Sequence, residues 1–243
     1  MKRTNITAHS GCEGTRDGSM EAIARGVALG ADYVEVDVRR VAGLGLMLTH
    51  DVPEDTTDLV SLEQALGAVA KERRVGINCD LKEYGLAKEV IAMAQRFGLC
   101  PPRLALSGSL TPAQLLSEPA IARAARIYLN IEEALWELMG GDVNARPWDV
   151  VKAAGDLTEW IPALIRLVGE SGAWALNLPP NRAYLAPHLA AFAEAGVAIS
   201  AWTVNDEQQM RALMTLPNLD NLTTRCVALA MAARSEHEGG NNP

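Results

Sequence analysis

One unit recurs along this chain: a short apolar run, then a segment whose apolar residues return at helical spacing. "NITAHSG" precedes "SMEAIARGVALG", where Met20, Ile23, Ala24, Val27 and Ala28 share a helix face behind a Ser19 N-cap, and Gly30 stops the helix. "YVEVDVR" and a short return, "LGLMLTHD", precede "SLEQALGAVAKER", whose Ser61 and Gln64 have capping-box spacing. "VGINCDLK" leads into "GLAKEVIAMAQRFG", and "RLALSGS" into "TPAQLL", with Thr111-Pro112 suited to N-cap and first-turn positions. "RIYLNI" precedes a helical region reaching about Gly169, "AWALNLPP" precedes "AYLAPHLAAFAEAG", and "VAISAWTVN" precedes "DEQQMRALM". "LDNLTTR" closes the series before a last helix from about Val227. Strands separated by helices pair in parallel. About eight such units in 243 residues match the size of a (β/α)8 barrel. A doubly wound open sheet is the alternative, but its usual nucleotide signatures, GxGxxG and GxxxxGK[ST], are missing. The expected fold is α/β, a (β/α)8 TIM barrel.

One junction breaks the pattern. Between Arg39 and Leu46 there is no room for a crossover helix, so "VEVDVRR" and "LMLTHD" read as a hairpin extending strand two beyond the barrel rim. Its return brings His50 to about the level of Glu35 and Asp37. The expected organisation is one barrel domain over residues 1–234 and a flexible tail over 235–243, "SEHEGGNNP", which lacks periodicity.

Composition narrows the function. A net charge of −8 argues against nucleic acid, which wants basic surface. The four cysteines are scattered with no CxxC pair, so reduced thiols are expected. No apolar run approaches the ~20 residues that span a bilayer, and "MKRTNITAHSG" is too short and polar for a signal peptide. A cytoplasmic protein without stable membrane association is expected. Its oligomeric state stays open.

Chemistry in such barrels gathers at the C-terminal ends of the strands. Those ends supply His9, then Glu35 and Asp37, then His50-Asp51 on the returning arm. "INCDLK" adds Asn78, Asp80 and Lys82 on one strand face, and later strands offer Ser107, Asn177, Trp202 and Asn205. Each has a plainer reading: an exposed edge strand for Glu35 and Asp37, a core histidine for His9, a turn for His50-Asp51, a salt bridge for Asp80 and Lys82. Taken together, three carboxylates on neighbouring strands need compensation, because burying unpaired charge costs several kcal/mol. One divalent cation held by Glu35, Asp37 and Asp80 provides it, and an all-oxygen set favours Mg2+ or Ca2+ over zinc. Of the four histidines, His188 falls in a helix and His237 in the tail, which leaves His9 and His50 as an acid–base pair. Lys82 adds a cation for an anionic substrate. The set describes metal-assisted phosphoryl chemistry.

These residues resemble the glycerophosphodiester phosphodiesterase family of (β/α)8 barrels. That family runs His-Arg-Gly, Pro-Glu-Asn-Thr, "GAD.iE.DV", an apolar strand ending in His-Asp, "iELK" and "WTVN". This chain runs "AHSG", "RDGSMEA", "GADYVEVDV", "LMLTHD", "INCDLK" and "AWTVN", in that order over nearly its whole length. The resemblance implies His9 and His50 as catalysts and Glu35, Asp37 and Asp80 as metal ligands. It also implies Lys82 as a phosphate contact and Trp202 as a pocket wall. The expected reaction cleaves a small phosphodiester, a glycerophosphodiester or related sugar phosphodiester, to an alcohol and a phosphomonoester. The attacker is water or a neighbouring substrate hydroxyl, the latter passing through a cyclic phosphate.

The chain also departs from the pattern. Ser10 replaces the arginine after the first histidine, with Arg16 and Arg39 as the candidates to substitute for it. Asp17 stands where a glutamate is expected, the third ligand is Asp80 instead of glutamate, and Arg225 takes the place of the usual terminal aspartate. The connection from Val52 to Val60 is too short for the small subdomain many members insert there. Two rivals follow. One is a phospholipase similar to sphingomyelinase D, forming a cyclic phosphate; the other is an inactive barrel that only binds its ligand.

Overall fold

In a computed structural model of the chain, residues 3–141, 147, 149, 158–180 and 189–239 are described. Eight parallel strands close into a barrel: β1 (Asn5–Ala8), β2 (Tyr33–Val41), β4 (Gly76–Leu81), β5 (Leu104–Gly108), β6 (Arg126–Asn130), β7 (Ala175–Leu178), β8 (Ala198–Ala201) and β9 (Leu219–Thr224). The pairing of β1 with β2 closes the ring. β3 (Gly45–Leu48) lies antiparallel along the upper part of β2, with Val38 opposite Leu48 and Val41 opposite Gly45. It takes the edge of β2 that β1 leaves free once it ends at Ala8.

The helices are α1 (Met20–Ala28), α2 (Leu62–Ala70), α3 (Ala87–Arg96), α4 (Pro112–Ser117), α5 (Ala120–Ala124), α6 (Ile131–Leu138), α7 (Ile161–Ser171), α8 (Leu189–Glu194), α9 (Glu207–Met214) and α10 (Val227–Gly239). Their starts follow the expected caps. Ser19 accepts from Ala22 N, Ser61 and Gln64 form a complete capping box, and Thr111 caps the helix opened by Pro112. Residues 181–188, and with them His188 and much of the predicted "AYLAPHLAAFAEAG" helix, lie outside the described residues.

Strand alternation sorts the side chains. A Cβ on Gly26 of α1 would meet Ala8 Cβ and Val34 Cγ1, so Ala8 and Val34 face the helices. Their neighbours His9, Glu35 and Asp37 therefore sit on the lumen side. The apolar core lies between the two layers, with Val34, Val36, Ile77, Leu104, Ile127, Leu176 and Ile199 facing Leu66, Val90, Leu135, Leu164 and Phe192. Within the lumen, Tyr33, Ala105, Tyr128 and Ala175 pack together at the N-terminal end, where the Tyr128 hydroxyl donates to Asp220 at 3.3 Å. Above them the lining turns polar: Thr7 Oγ1 donates to Asn221 Oδ1 at 2.6 Å, and Asn221 Nδ2 donates to Ser200 Oγ at 3.0 Å.

The plainer reading of the two acids falls here, and the last helix runs past the start expected for the tail. Glu35 and Asp37 do not belong to an exposed edge, because β2 is flanked on both sides and both acids are buried. Residues 235–239, expected in a flexible tail, continue α10, with His237 on it; 240–243 lie outside the described residues. The composition hides what holds this turn: Arg211 pairs with Glu236 at 2.7 Å across α9 and α10. Among the described residues no helix is long and apolar enough to cross a membrane.

Candidate active site

Register builds the site. Along the parallel ladder, Glu35 stands opposite Asn78, Asp37 opposite Asp80, and Asp80 opposite Ser107, which places Asp37 and Asp80 level on adjacent strands and Glu35 one step below Asp37 on the same face. Lys82 Nζ folds back between two of them, 2.8 Å from Asp37 Oδ1 and 2.5 Å from Asp80 Oδ2. Ser107 Oγ donates to Asp80 Oδ1 at 2.6 Å and accepts from Asn78 Nδ2 at 3.1 Å. Gly108 makes this close approach possible: at φ +84 its missing Cβ would sit 2.2 Å from Leu81 O and 3.0 Å from Asp80 Oδ1.

His9 directly follows β1. Its backbone N–H donates to Thr224 O at 2.8 Å, and its Nδ1 lies 2.8 Å from Ser10 O and 3.7 Å from Glu35 Oε2. A carbonyl oxygen only accepts, so Nδ1 carries the proton and Nε2 is free. Burial lowers the His9 pKa and outweighs the pull of Asp37 and Asp80 in the other direction. His50 arrives by the hairpin: Thr49 N donates to Asp37 O at 3.0 Å, extending the β2–β3 pairing to the level of the acids. His50 stays 63% exposed at the mouth, its Nδ1 3.0 Å from Asp51 Oδ1.

Glu35, Asp37 and Asp80 each present a carboxylate oxygen within 4.8 Å of the others. Glu35 is held well above the ordinary glutamate range, first by burial and then by the negative charges of Asp37 and Asp80. Lys82 sits against two of the trio; burial works against its charge, but Asp80 and Asp37 outweigh it and raise its pKa. Beside the trio, the buried Asn78 Oδ1 makes no hydrogen bond among the described residues. A crowded set of hard oxygens with an excess of negative charge fits a divalent cation such as Mg2+ or Ca2+.

The acids open into a cavity of about 270 Å³ lined by His9, Glu35, His50, Asp80, Lys82, Ser107, Asn177 and Trp202, together with Asn78, Thr203, Thr223 and Arg225. Of the residues expected at these strand ends, Asp51 and Asn205 do not line the cavity, and Asp37 sits behind Lys82 at 3% exposure. Asn177 donates to Asn130 Oδ1 at 2.8 Å, while its own Oδ1 and the Trp202 indole N–H are buried without partners among the described residues. Unsatisfied polar atoms around one hollow are what a polar ligand would complete.

Neither arginine expected to replace the one missing at Ser10 takes that place. Arg39 is tied to Glu83 at 3.2 Å and to the carbonyls of His50 and Lys82, and Arg16 reaches Asp58 O at 3.3 Å in a neighbouring hollow. The cavity instead receives Arg225, from the turn after β9. The rule that chemistry gathers at strand ends points to it, had that rule been carried to "LTTR". Asn205 turns out to hold this turn, its Oδ1 accepting from Arg225 N at 2.8 Å and from Thr224 Oγ1 at 3.2 Å.

No protein-family model and no curated protein matches the chain. Solved structures do. A glycerophosphodiester phosphodiesterase from Parabacteroides distasonis superposes with a TM-score of 0.70 at 18% identity, over 99% of each chain. A putative glycerophosphoryl diester phosphodiesterase from Agrobacterium tumefaciens gives 0.74 at 18% identity, over 98% of this chain and 100% of its own. A phosphodiesterase from Oleispira antarctica, solved with the product sn-glycerol-3-phosphate, gives 0.70 at 15% identity, over 96% of this chain and 97% of its own. Across nearly its full length, the chain folds as these phosphodiesterase barrels do.

Proposed function

We propose that this protein is a phosphodiesterase of the glycerophosphodiester phosphodiesterase type, cleaving a small phosphodiester to an alcohol and a phosphomonoester. The observation that carries the reading is the convergence, at the C-terminal ends of successive strands, of two histidines, Glu35, Asp80 and Lys82 on one cavity, with Asp37 directly behind Lys82. The solved structures of similar fold support it, since their names describe this chemistry and one holds sn-glycerol-3-phosphate.

His9, kept neutral by burial and with Nδ1 committed to Ser10 O, offers Nε2 as the general base. It takes the proton from water, or from a substrate hydroxyl, as that oxygen bonds to phosphorus. His50, at the open mouth, hands a proton to the departing alkoxide as the phosphorus–oxygen bond breaks. Glu35, Asp37 and Asp80 hold a divalent cation, Mg2+ or Ca2+, which when bound supplies Lewis-acid neutralisation of the phosphate oxygens. Lys82 pairs with Asp37 and Asp80, holds their orientation and adds positive potential beneath the phosphate. Trp202 and Asn177 wall the side where the alcohol portion sits, and Ser107 fixes the Asp80 carboxylate.

Phosphorus NMR of a panel of glycerophosphodiesters and sugar phosphodiesters, with Mg2+, Ca2+ or EDTA, tests the reading. Cation-dependent release of a phosphomonoester is expected. An accumulating cyclic phosphate from a lipid substrate would instead favour the sphingomyelinase D-like reading. No turnover of any phosphodiester would overturn the proposal.

A further inference from the structure

The cavity has little free positive charge for an anionic ligand. Lys82 is spent on Asp37 and Asp80, and the His9 Nδ1 is committed to Ser10 O at 2.8 Å. Among the described residues Arg225 is the guanidinium that lines the cavity, and it is held at several points. Its backbone N–H is pinned by Asn205 Oδ1 at 2.8 Å, and its carbonyl accepts from Glu13 N at 2.7 Å. Its side chain meets Asp17 end-on, Nη1 to Oδ1 at 2.7 Å and Nη2 to Oδ2 at 2.9 Å.

The loop after β1 is shaped around that pair. A Cβ on Gly11 would fall 1.8 Å from Asp17 Oδ1 and 2.6 Å from Arg225 Nη1, and Gly11 also adopts φ +72. Only glycine lets the fork cross there. Ser10 is turned away, its Oγ accepting from Gly18 N at 2.8 Å. An end-on pair uses one N–H of each terminal nitrogen and leaves the Nε–H edge for a second oxyanion. A pair serving only to tie two loops needs no place on the cavity wall.

We propose that Arg225 grips the anionic phosphate oxygens of the substrate from the β9 side, with Asp17 as the positioning residue that aims it. The inference rests on the phosphodiesterase reading above. It replaces a grip from the residue after the first histidine with one from the opposite side of the β1 seam.

The test is kinetics on a glycerophosphodiester, together with calorimetric titration of inorganic phosphate into the cation-loaded protein, for wild type, R225Q, R225K and D17N. A bidentate charge-assisted contact predicts that R225Q raises KM and weakens phosphate binding by roughly tenfold or more, with a smaller change in kcat. R225K falls between R225Q and wild type, because an ammonium keeps the charge but loses the fork. D17N weakens both constants by a few-fold while its melting temperature stays close to that of wild type. KM and phosphate affinity near wild type in R225Q, in an enzyme that turns over, would overturn the proposal and leave the pair as a tie between loops. If R225Q does not fold, R225K decides alone, and an unchanged KM there overturns it too. A wild-type protein that neither binds phosphate nor cleaves phosphodiesters fails at the earlier reading and takes this one with it.

Discussion

The backbone N–H of Ser10 donates to Glu35 Oε2 at 2.8 Å, so the turn after β1 fixes the direction of a buried carboxylate on β2. A glutamine at position 35 keeps that acceptor and loses the charge. In EDTA, Glu35→Gln is expected to be at least as stable as wild type, because a like charge leaves the company of Asp37 and Asp80. Saturating Mg2+ or Ca2+ should raise the melting temperature of wild type and do so much less for the variant. Equal stabilisation of both proteins by the cation would remove Glu35 from the ligand set.

The two histidines differ in setting, and their alanine variants separate chemistry from folding. His9→Ala and His50→Ala are each expected to lower kcat by about 10²–10⁴-fold, the range for loss of a general acid or base. The His50 side chain is mostly exposed and, among the described residues, pairs with Asp51, so its variant should unfold with wild-type character. Turnover near the wild-type rate in either variant would refute that histidine's role in proton transfer.

Lys82→Met leaves Asp37 and Asp80 facing each other without their cation. Because both partners are largely out of water, breaking the pair is expected to cost about 3 kcal/mol in EDTA, read by urea denaturation. A divalent cation should return part of that loss in the variant, since it supplies the charge that Lys82 no longer does. A variant as stable as wild type in EDTA would mean the pair is solvated and the acids are not under strain.

Much of this was legible in the residues. Strand–helix alternation pointed to the barrel, and period-two polar residues on "YVEVDVR" and "INCDLK" pointed to one lumen face; parallel register then put Asp37 level with Asp80. The missing helix between Arg39 and Leu46 pointed to the hairpin, and with it the placing of His50. What stayed hidden was side-chain commitment. Arg16, Arg39 and Arg225 look alike as letters, and only packing shows two of them bound elsewhere and the third on the cavity. Residues 235–239 read as tail because their helix is held by pairs such as Arg211–Glu236, far apart in sequence.

Away from the acids, Glu133 on α6 offers a pH test. It is buried, and its carboxylate accepts from Tyr84 Oη at 3.0 and 2.9 Å. Burial pushes its pKa from the ordinary 4.5 to about 7; the Tyr84 bond opposes the shift, and the negative charges of Glu132 and Glu137 add to it. The folded protein thus keeps a proton between those values that the unfolded chain has released. Stability is therefore favoured at low pH and lost as pH rises from 4.5 to about 7, by on the order of 3 kcal/mol for this group. Glu133→Gln should flatten that slope and exceed wild type in stability at pH above 7. Tyr84→Phe should steepen it, because the hydrogen bond that supports the carboxylate is gone. Urea denaturation of the three proteins across this range reads the slopes directly, and parallel curves would place Glu133 in contact with water.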